Sequence, residues 1–231
     1  MNKKDYNEFL NNLYKLQDIK YKEFHSGLGI SNDYLIGIRV PVLKDIAKDI
    51  SKKDYISFIK YNTHNTYEEI LIHGLIIGYI KEDFNIILNL FKDYIKYIDN
   101  WALCDIVVAN LHIWKKNIKE GLKFVIWCLK QEYEWYKRVG YVLLLDYYIN
   151  NEYLDTIFLL CDKYQSNDYY VKMAIAWLIS ICYIKYPNET LIYIKCNKLD
   201  KWTHNKAIQK IRESKRVDKE TKNILLEWRI I

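Results

Sequence analysis

Glycine and proline are scarce, with seven Gly and two Pro in 231 residues, about 4% where the pair usually makes up ~12%. A β-sandwich or barrel needs a turn signal every ~8–12 residues, so this scarcity argues against both. It leaves long helices joined by short polar connections, and excludes collagen-like and low-complexity chains. The five Cys (104, 128, 161, 182 and 196) form no CxxC pair and lie in apolar surroundings, which reads as small core residues in a reducing compartment. The five His show no metal-ligand spacing and no HExxH is present, so no metal is expected. A phosphate-binding Walker loop and a G-x-S-x-G elbow are both missing; Gly27-Leu28-Gly29 is a loop signal only, and Cys104 beside Asp105 has no nearby His. No cofactor site is expected. The start, MNKKDYNEFL, lacks an apolar leader, and the longest apolar run, Met173 to Ile184 between Lys172 and Lys185, is too short to span a bilayer. The expectation is a cytoplasmic, monomeric protein that does not engage membranes.

Hydrophobic residues make up 51% of the chain, enough to exclude general disorder. The net charge of +6 permits a polyanionic partner without demanding one. The 22 Tyr share AT-rich codons with the abundant Ile, Asn and Lys, so they are given no functional weight.

The apolar spacing of Phe9, Leu10, Leu13 and Leu16 predicts one or two short helices over residues 5–25. The segment from Gly27 to Pro41 holds three Gly and one Pro. It is the one substantial loop and the expected place of mobility, with Pro41 in the first turn of the next helix. Residues 41–62 read as a degenerate helix pair. From there the chain repeats, with first-helix starts near Thr66, Asn100, Glu134, Asp168 and Trp202, 34 residues apart. Thr66-x-x-Glu69 has capping-box form, and Asn100 and Asp168 are good N-caps. In the second helices Leu90, Phe124, Phe158 and Ile192 form one apolar column, with Phe91, Val125, Leu159 and Tyr193 beside it. Ile72, Ile106, Gly140, Ala174 and Ile208 form a third in the first helices. The reading is all-α, an α-solenoid of HEAT-like helix pairs with an N-terminal helical cap. It is taken as one domain over 1–231, with stacked pairs over 41–228. A tetratricopeptide array fits less well, because its W-x-x-L-G-x-x-Y…P pattern is absent.

The repeat also aligns polar residues. Arg138, Lys172 and Lys206 fall in one column, a basic stripe able to follow phosphates or, equally, a solvated face. Tyr67, Trp101, Trp135 and Tyr169 share another. Trp101 and Asp105 are four residues apart and so share a helix face, and Trp177 lies eight positions beyond Tyr169. Trp101, Asp105, Arg138 and Trp177 can thus converge on one broad face. A Trp in an apolar stripe is usually core. An Asp beside Ile106, Val107 and Val108 must find a partner, a cap or a cavity.

The stretches GIRVPVLKDIAKDI (37–50), EEILIHGLIIGYIK (68–81), IDNWALCD (98–105), RVGYVLLLDYY (138–148), YYVKMAIAWLISICYIKYP (169–187) and WTHNKAIQKIRES (202–214) resemble, in order, the AlkD-like DNA alkylation repair family. The resemblance implies a HEAT-like solenoid that excises cationic N3- or N7-alkylpurines from double-stranded DNA without metal or cofactor. It also implies excision without flipping the lesion into a deep pocket. In that reading Trp101 and Asp105 are the family's W-x-x-x-D pair, Trp177 is the Trp of K-x-A-I-x-W, and Arg138 is its backbone-contacting Arg. The segment before Pro41 and the DNWALCD context resemble a divergent branch. Two further readings stay open, a non-catalytic binder of DNA structure and a protein-binding HEAT scaffold.

Overall fold

Short polar side chains start seven of the α-helices by accepting backbone N–H groups that have no intrahelical partner. In the computed structural model, which describes residues 1–231, Thr66 and Glu69 form a reciprocal capping box at one helix start, and Asn100 accepts the N–H groups of Ala102 and Leu103 at another. Fourteen α-helices result and no strands. They are α1 (Lys3–Tyr14), α2 (Ile19–Ser26), α3 (Val40–Ser51), α4 (Tyr55–Tyr61), α5 (Tyr67–Tyr79), α6 (Phe84–Ile95) and α7 (Trp101–Ala109), then α8 (Ile118–Leu129), α9 (Glu134–Tyr147), α10 (Leu154–Lys163), α11 (Tyr169–Lys185), α12 (Pro187–Cys196), α13 (Lys201–Glu213) and α14 (Lys219–Ile224). The first helices of the repeat are α5, α7, α9, α11 and α13, whose N-caps are Thr66, Asn100, Tyr133, Asp168 and Asp200. The expected period is therefore present to within two residues. Pro41 occupies the first turn of α3. Asp168 makes no side-chain cap bond to its helix; its carboxylate instead accepts the Ser166 hydroxyl.

Contacts divide the chain into two compact units, Met1–Ile113 and Trp114–Ile231. In the first, α3 packs on α5 and α5 on α7, while α4 and α6 back their partners α3 and α5. Helix α5 is surrounded. Every residue from Tyr67 to Ile77 is buried, which explains why its sequence is apolar nearly all round. In the second unit α8, α9, α11 and α13 pack in sequence, with α12 against α11. Each unit is thus a stack of helix pairs, the local construction of an α-solenoid.

Two of the expected core columns break. Leu159 and Ile192 face solvent, whereas Phe158 and Tyr193 are buried and their rings stack at 4.2 Å. Second helices do not keep a strict 34-residue register, since α8, α10 and α12 begin at Ile118, Leu154 and Pro187. The slip rotates single positions out of the core. Leu16 is also exposed. Four cysteines are buried as expected, but Cys196 is exposed at the end of α12.

The loop over residues 27–41 is anchored along its second half. Ile30, Leu35, Ile36 and Ile38 are buried, and the fully buried carboxylate of Glu68 accepts the N–H groups of Ile36, Gly37 and Ile38 at 2.9, 2.7 and 3.1 Å. Gly37 is required there. Its φ is +99°, and a Cβ would lie 2.5 Å from Lys22 Cβ. Next in sequence, buried Glu69 accepts the hydroxyls of Tyr6, Thr63 and Thr66. Two adjacent carboxylates on α5 therefore hold α1 and the loop to the first unit.

His64 and His73 make a ring-to-ring hydrogen bond of 2.8 Å, and the His64 ring stacks on Tyr97 at 3.7 Å. Burial lowers both imidazoles, His64 to about 4 and His73 to about 3; Lys96 lowers both further, while Glu69 partly opposes the shift at His64. Each folded pKa lies below the unfolded ~6.5. The unfolded chain therefore binds more protons in the window between, and stability falls as pH drops below ~6.5 towards the folded values. His73 alone should account for up to ~1.4 kcal/mol per pH unit in that window. Thermal melts from pH 7 to 4 check this. His73→Gln should flatten the slope relative to the parent, and identical slopes would refute the assignment.

Candidate functional site

Helix α7 is apolar on most of its surface because it packs on α5. Ala102, Leu103, Cys104, Val107 and Val108 are all buried. The residues left at least partly open are Trp101, Asp105, Ile106 and Ala109, which form one stripe at helical spacing. The one aromatic ring and the one carboxylate of α7 thus share its open face.

The first turn of α7 is held from outside. The Trp101 indole N–H donates to the carbonyl of Leu28 at 3.3 Å. Asn100 Nδ2 donates to the Tyr34 hydroxyl at 2.7 Å and to Asp99 at 2.8 Å, and the Tyr34 hydroxyl donates to Asp99 at 2.9 Å. Burial pushes the Tyr34 hydroxyl well above the ordinary phenol range, and the adjacent Asp99 carboxylate pushes it further; Tyr34 is therefore a fixed donor at neutral pH. The anchored loop reaches the candidate site through Leu28 and Tyr34, neither of which carries a motif legible in the sequence.

The second unit holds the other four expected residues. Arg138 on α9 is only 5% exposed; its guanidinium donates to the Tyr170 carbonyl at 2.7 Å and lies 6.0 Å from the centre of that ring. Beside it, burial and Asp168 raise the Glu134 carboxyl above its usual range, with Arg138 opposing. Lys172 on α11 pairs with Asp200 at 3.2 Å, and Lys206 on α13 donates to Gln209 at 2.8 Å. Burial works to raise the Asp200 carboxyl, but the Thr203 hydroxyl and the Lys172 ammonium outweigh it, so the group stays below the ordinary range. The three members of the basic column thus sit on successive first helices in unlike settings, Arg138 buried and Lys172 and Lys206 half-buried. Trp177, half-buried on α11, lines a cavity of about 260 Å³ with Ile181, Ile184, Lys210 and Glu213, at the C-terminal end of α13. Lys172 lies by the N-terminal end of the same helix. The aromatic column is equally uneven: Tyr67 and Trp135 are buried, Trp101 is half-buried and Tyr169 is exposed.

A family model described as DNA alkylation repair enzyme matches residues 9–211. The chain belongs to that family. The match spans α7, α9, α11 and α13, and with them all six candidate residues of this DNA alkylation repair protein. No curated protein and no solved structure matches the chain. Within the family's fold, no group of three or more His, Cys, Asp and Glu side chains is placed to hold a metal ion. No helix is long and apolar enough to cross a membrane.

Proposed function

We propose that this DNA alkylation repair protein hydrolyses the N-glycosidic bond of cationic N3- and N7-alkylpurines in double-stranded DNA. The observation that carries the reading is the open stripe of α7, where a carboxylate stands one turn from an indole on a helix whose remaining faces are buried. An alkylated purine is already an activated leaving group because it carries positive charge. As the glycosidic bond lengthens, that charge moves to the deoxyribose. Asp105 is the group suited to stabilise the oxocarbenium-like sugar, and to orient the water that completes the hydrolysis. Trp101 supplies an aromatic face for a cationic nucleotide, a contact of roughly 0.5–2 kcal/mol, and Trp177 is proposed to do the same on α11. Fixing the Trp101 indole through the Leu28 carbonyl reduces the freedom lost when a nucleotide is engaged.

Lys172 and Lys206 are proposed to meet phosphates, each contact steepening the salt dependence of binding. Arg138 is proposed to serve the same backbone, held in place by the Tyr170 carbonyl. No metal, cofactor or second subunit is invoked. The test is release of 7-methylguanine or 3-methyladenine from methylated duplex DNA by the purified protein. Time-dependent release of either base is the expected result. Salt-sensitive DNA binding with no release would replace the proposal with the binding-only reading, and no DNA affinity at low salt would leave only a protein scaffold.

A further inference from the structure

The second unit contains a larger cavity than the one at Trp177, of about 690 Å³, at the N-terminal end of α13. Its size falls within the range of small-molecule sites, roughly 300–1,000 Å³. Four cationic side chains, Lys172, Lys201, Lys206 and Arg229, line it against one carboxylate, Asp200. That carboxylate is already engaged by Lys172 and by the Thr203 hydroxyl. Three cations thus remain without an acidic partner in the lining, which is a setting for an anion.

The cavity also has an aromatic wall. Trp202 is 38% exposed, with the Lys206 and Lys172 ammonium groups 5.4 and 6.0 Å from its ring. The Tyr169 ring, 57% exposed, meets Trp202 edge-on at 5.7 Å. An indole face attended by cations is suited to a ligand with both a flat π-system and negative charge. A stacked base takes up the ring face and leaves the neighbouring ammonium groups to its phosphate. Arg229 completes the rim from the C-terminal segment. Asn205 fixes that segment beside α13, donating to the Ile230 carbonyl at 2.9 Å and accepting the Ile230 N–H at 3.0 Å.

We propose that this cavity is a binding site for a 5′-phosphorylated nucleotide, with the base on Trp202 and the phosphate among Lys201, Lys206 and Arg229. A free nucleotide and the unpaired 5′-phosphorylated end of a DNA strand present the same chemistry. The site does not depend on glycosylase activity, because none of its defining residues is assigned to bond cleavage.

Calorimetric titration of the 231-residue protein with 5′-dAMP, deoxyadenosine, inorganic phosphate, and a duplex bearing a 5′-phosphorylated single-stranded overhang tests the proposal. Saturable 1:1 binding of 5′-dAMP or of the overhang, at least tenfold tighter than deoxyadenosine or phosphate alone, is expected. The tighter of the two identifies the source. Trp202→Ala and Arg229→Ala should each weaken that binding tenfold or more. Arg229 is exposed, so its replacement leaves the fold intact and provides the decisive variant if Trp202→Ala proves unstable. Absence of saturable binding, or equal affinity in the parent and Arg229→Ala, would overturn the site. A protein that releases alkylated bases yet ignores 5′-dAMP and the overhang would lose this proposal and keep the previous one.

Discussion

Asp105→Asn is expected to slow release of 7-methylguanine from methylated duplex DNA by about 10²-fold or more, equivalent to ~2.7 kcal/mol of transition-state stabilisation. Asparagine has nearly the same shape as aspartate and remains on the open stripe of α7, so packing against α5 is untouched. Under the proposed mechanism, what disappears is the negative charge facing a sugar that becomes positive only as the bond breaks. In the same proposal the ground-state complex is held largely through phosphates and stacking, so DNA affinity should be nearly unaffected. The measurements are single-turnover rates, salt-titrated DNA affinity, and far-ultraviolet circular dichroism as a check on folding. A rate equal to that of the parent would remove Asp105 from the reaction, and a large loss of affinity would make it a binding residue instead.

The second large effect is expected at a residue that does not face the candidate site. Glu68→Ala strips the acceptor from three buried N–H groups at once. Each unsatisfied donor costs ~1–3 kcal/mol, so the first unit should lose at least ~3 kcal/mol against chemical denaturant. Glu68→Gln keeps the side chain's volume but exchanges one acceptor oxygen for a donor amide facing another donor. It should cost less than alanine while still freeing part of the loop. Amide hydrogen exchange at Ile36, Gly37 and Ile38 is the direct readout, and protection there should fall in both variants. The same loop supplies the Leu28 carbonyl to Trp101, so base release should decline even in the milder variant. Unaltered exchange at those three amides would show that the carboxylate is not what secures the loop.

Much of the fold is legible because its signals are local. Thr66 with Glu69, Asn100 and Pro41 announce helix starts through bonds spanning two or three residues, or through a fixed φ. The pairing of Trp101 with Asp105 on one face follows from helical periodicity alone. What escapes the sequence is settled over longer distances. Glu68 and Glu69 look like an ordinary charged helix start, since carboxylates are rarely buried; Glu68's donors lie 30 to 32 residues earlier, and Glu69 adds Tyr6, 63 residues earlier, to its local partners Thr63 and Thr66. Leu159 and Ile192 are as apolar as their neighbours, and the shifted starts of α10 and α12 turn them outward. Arg138 shares a column with Lys172 and Lys206, yet it is buried because the Tyr170 carbonyl lies within its reach. Trp202 was legible only as the start of a helix. Its environment depends on Lys172, 30 residues before it, and on Arg229 in the C-terminal segment.

The paired carboxylates of α5 also bear on how the chain is made. Synthesis is vectorial, so a segment can dock only once its partners have emerged. Here α1 and the loop are translated before the two side chains that accept from their buried hydroxyl and amide donors. Until Glu68 and Glu69 have left the ribosome, those early segments lack the acceptors that hold them in the finished unit. Docking of α1 and of the loop should therefore follow the emergence of α5, so these earlier-translated segments of the first unit wait on a later one.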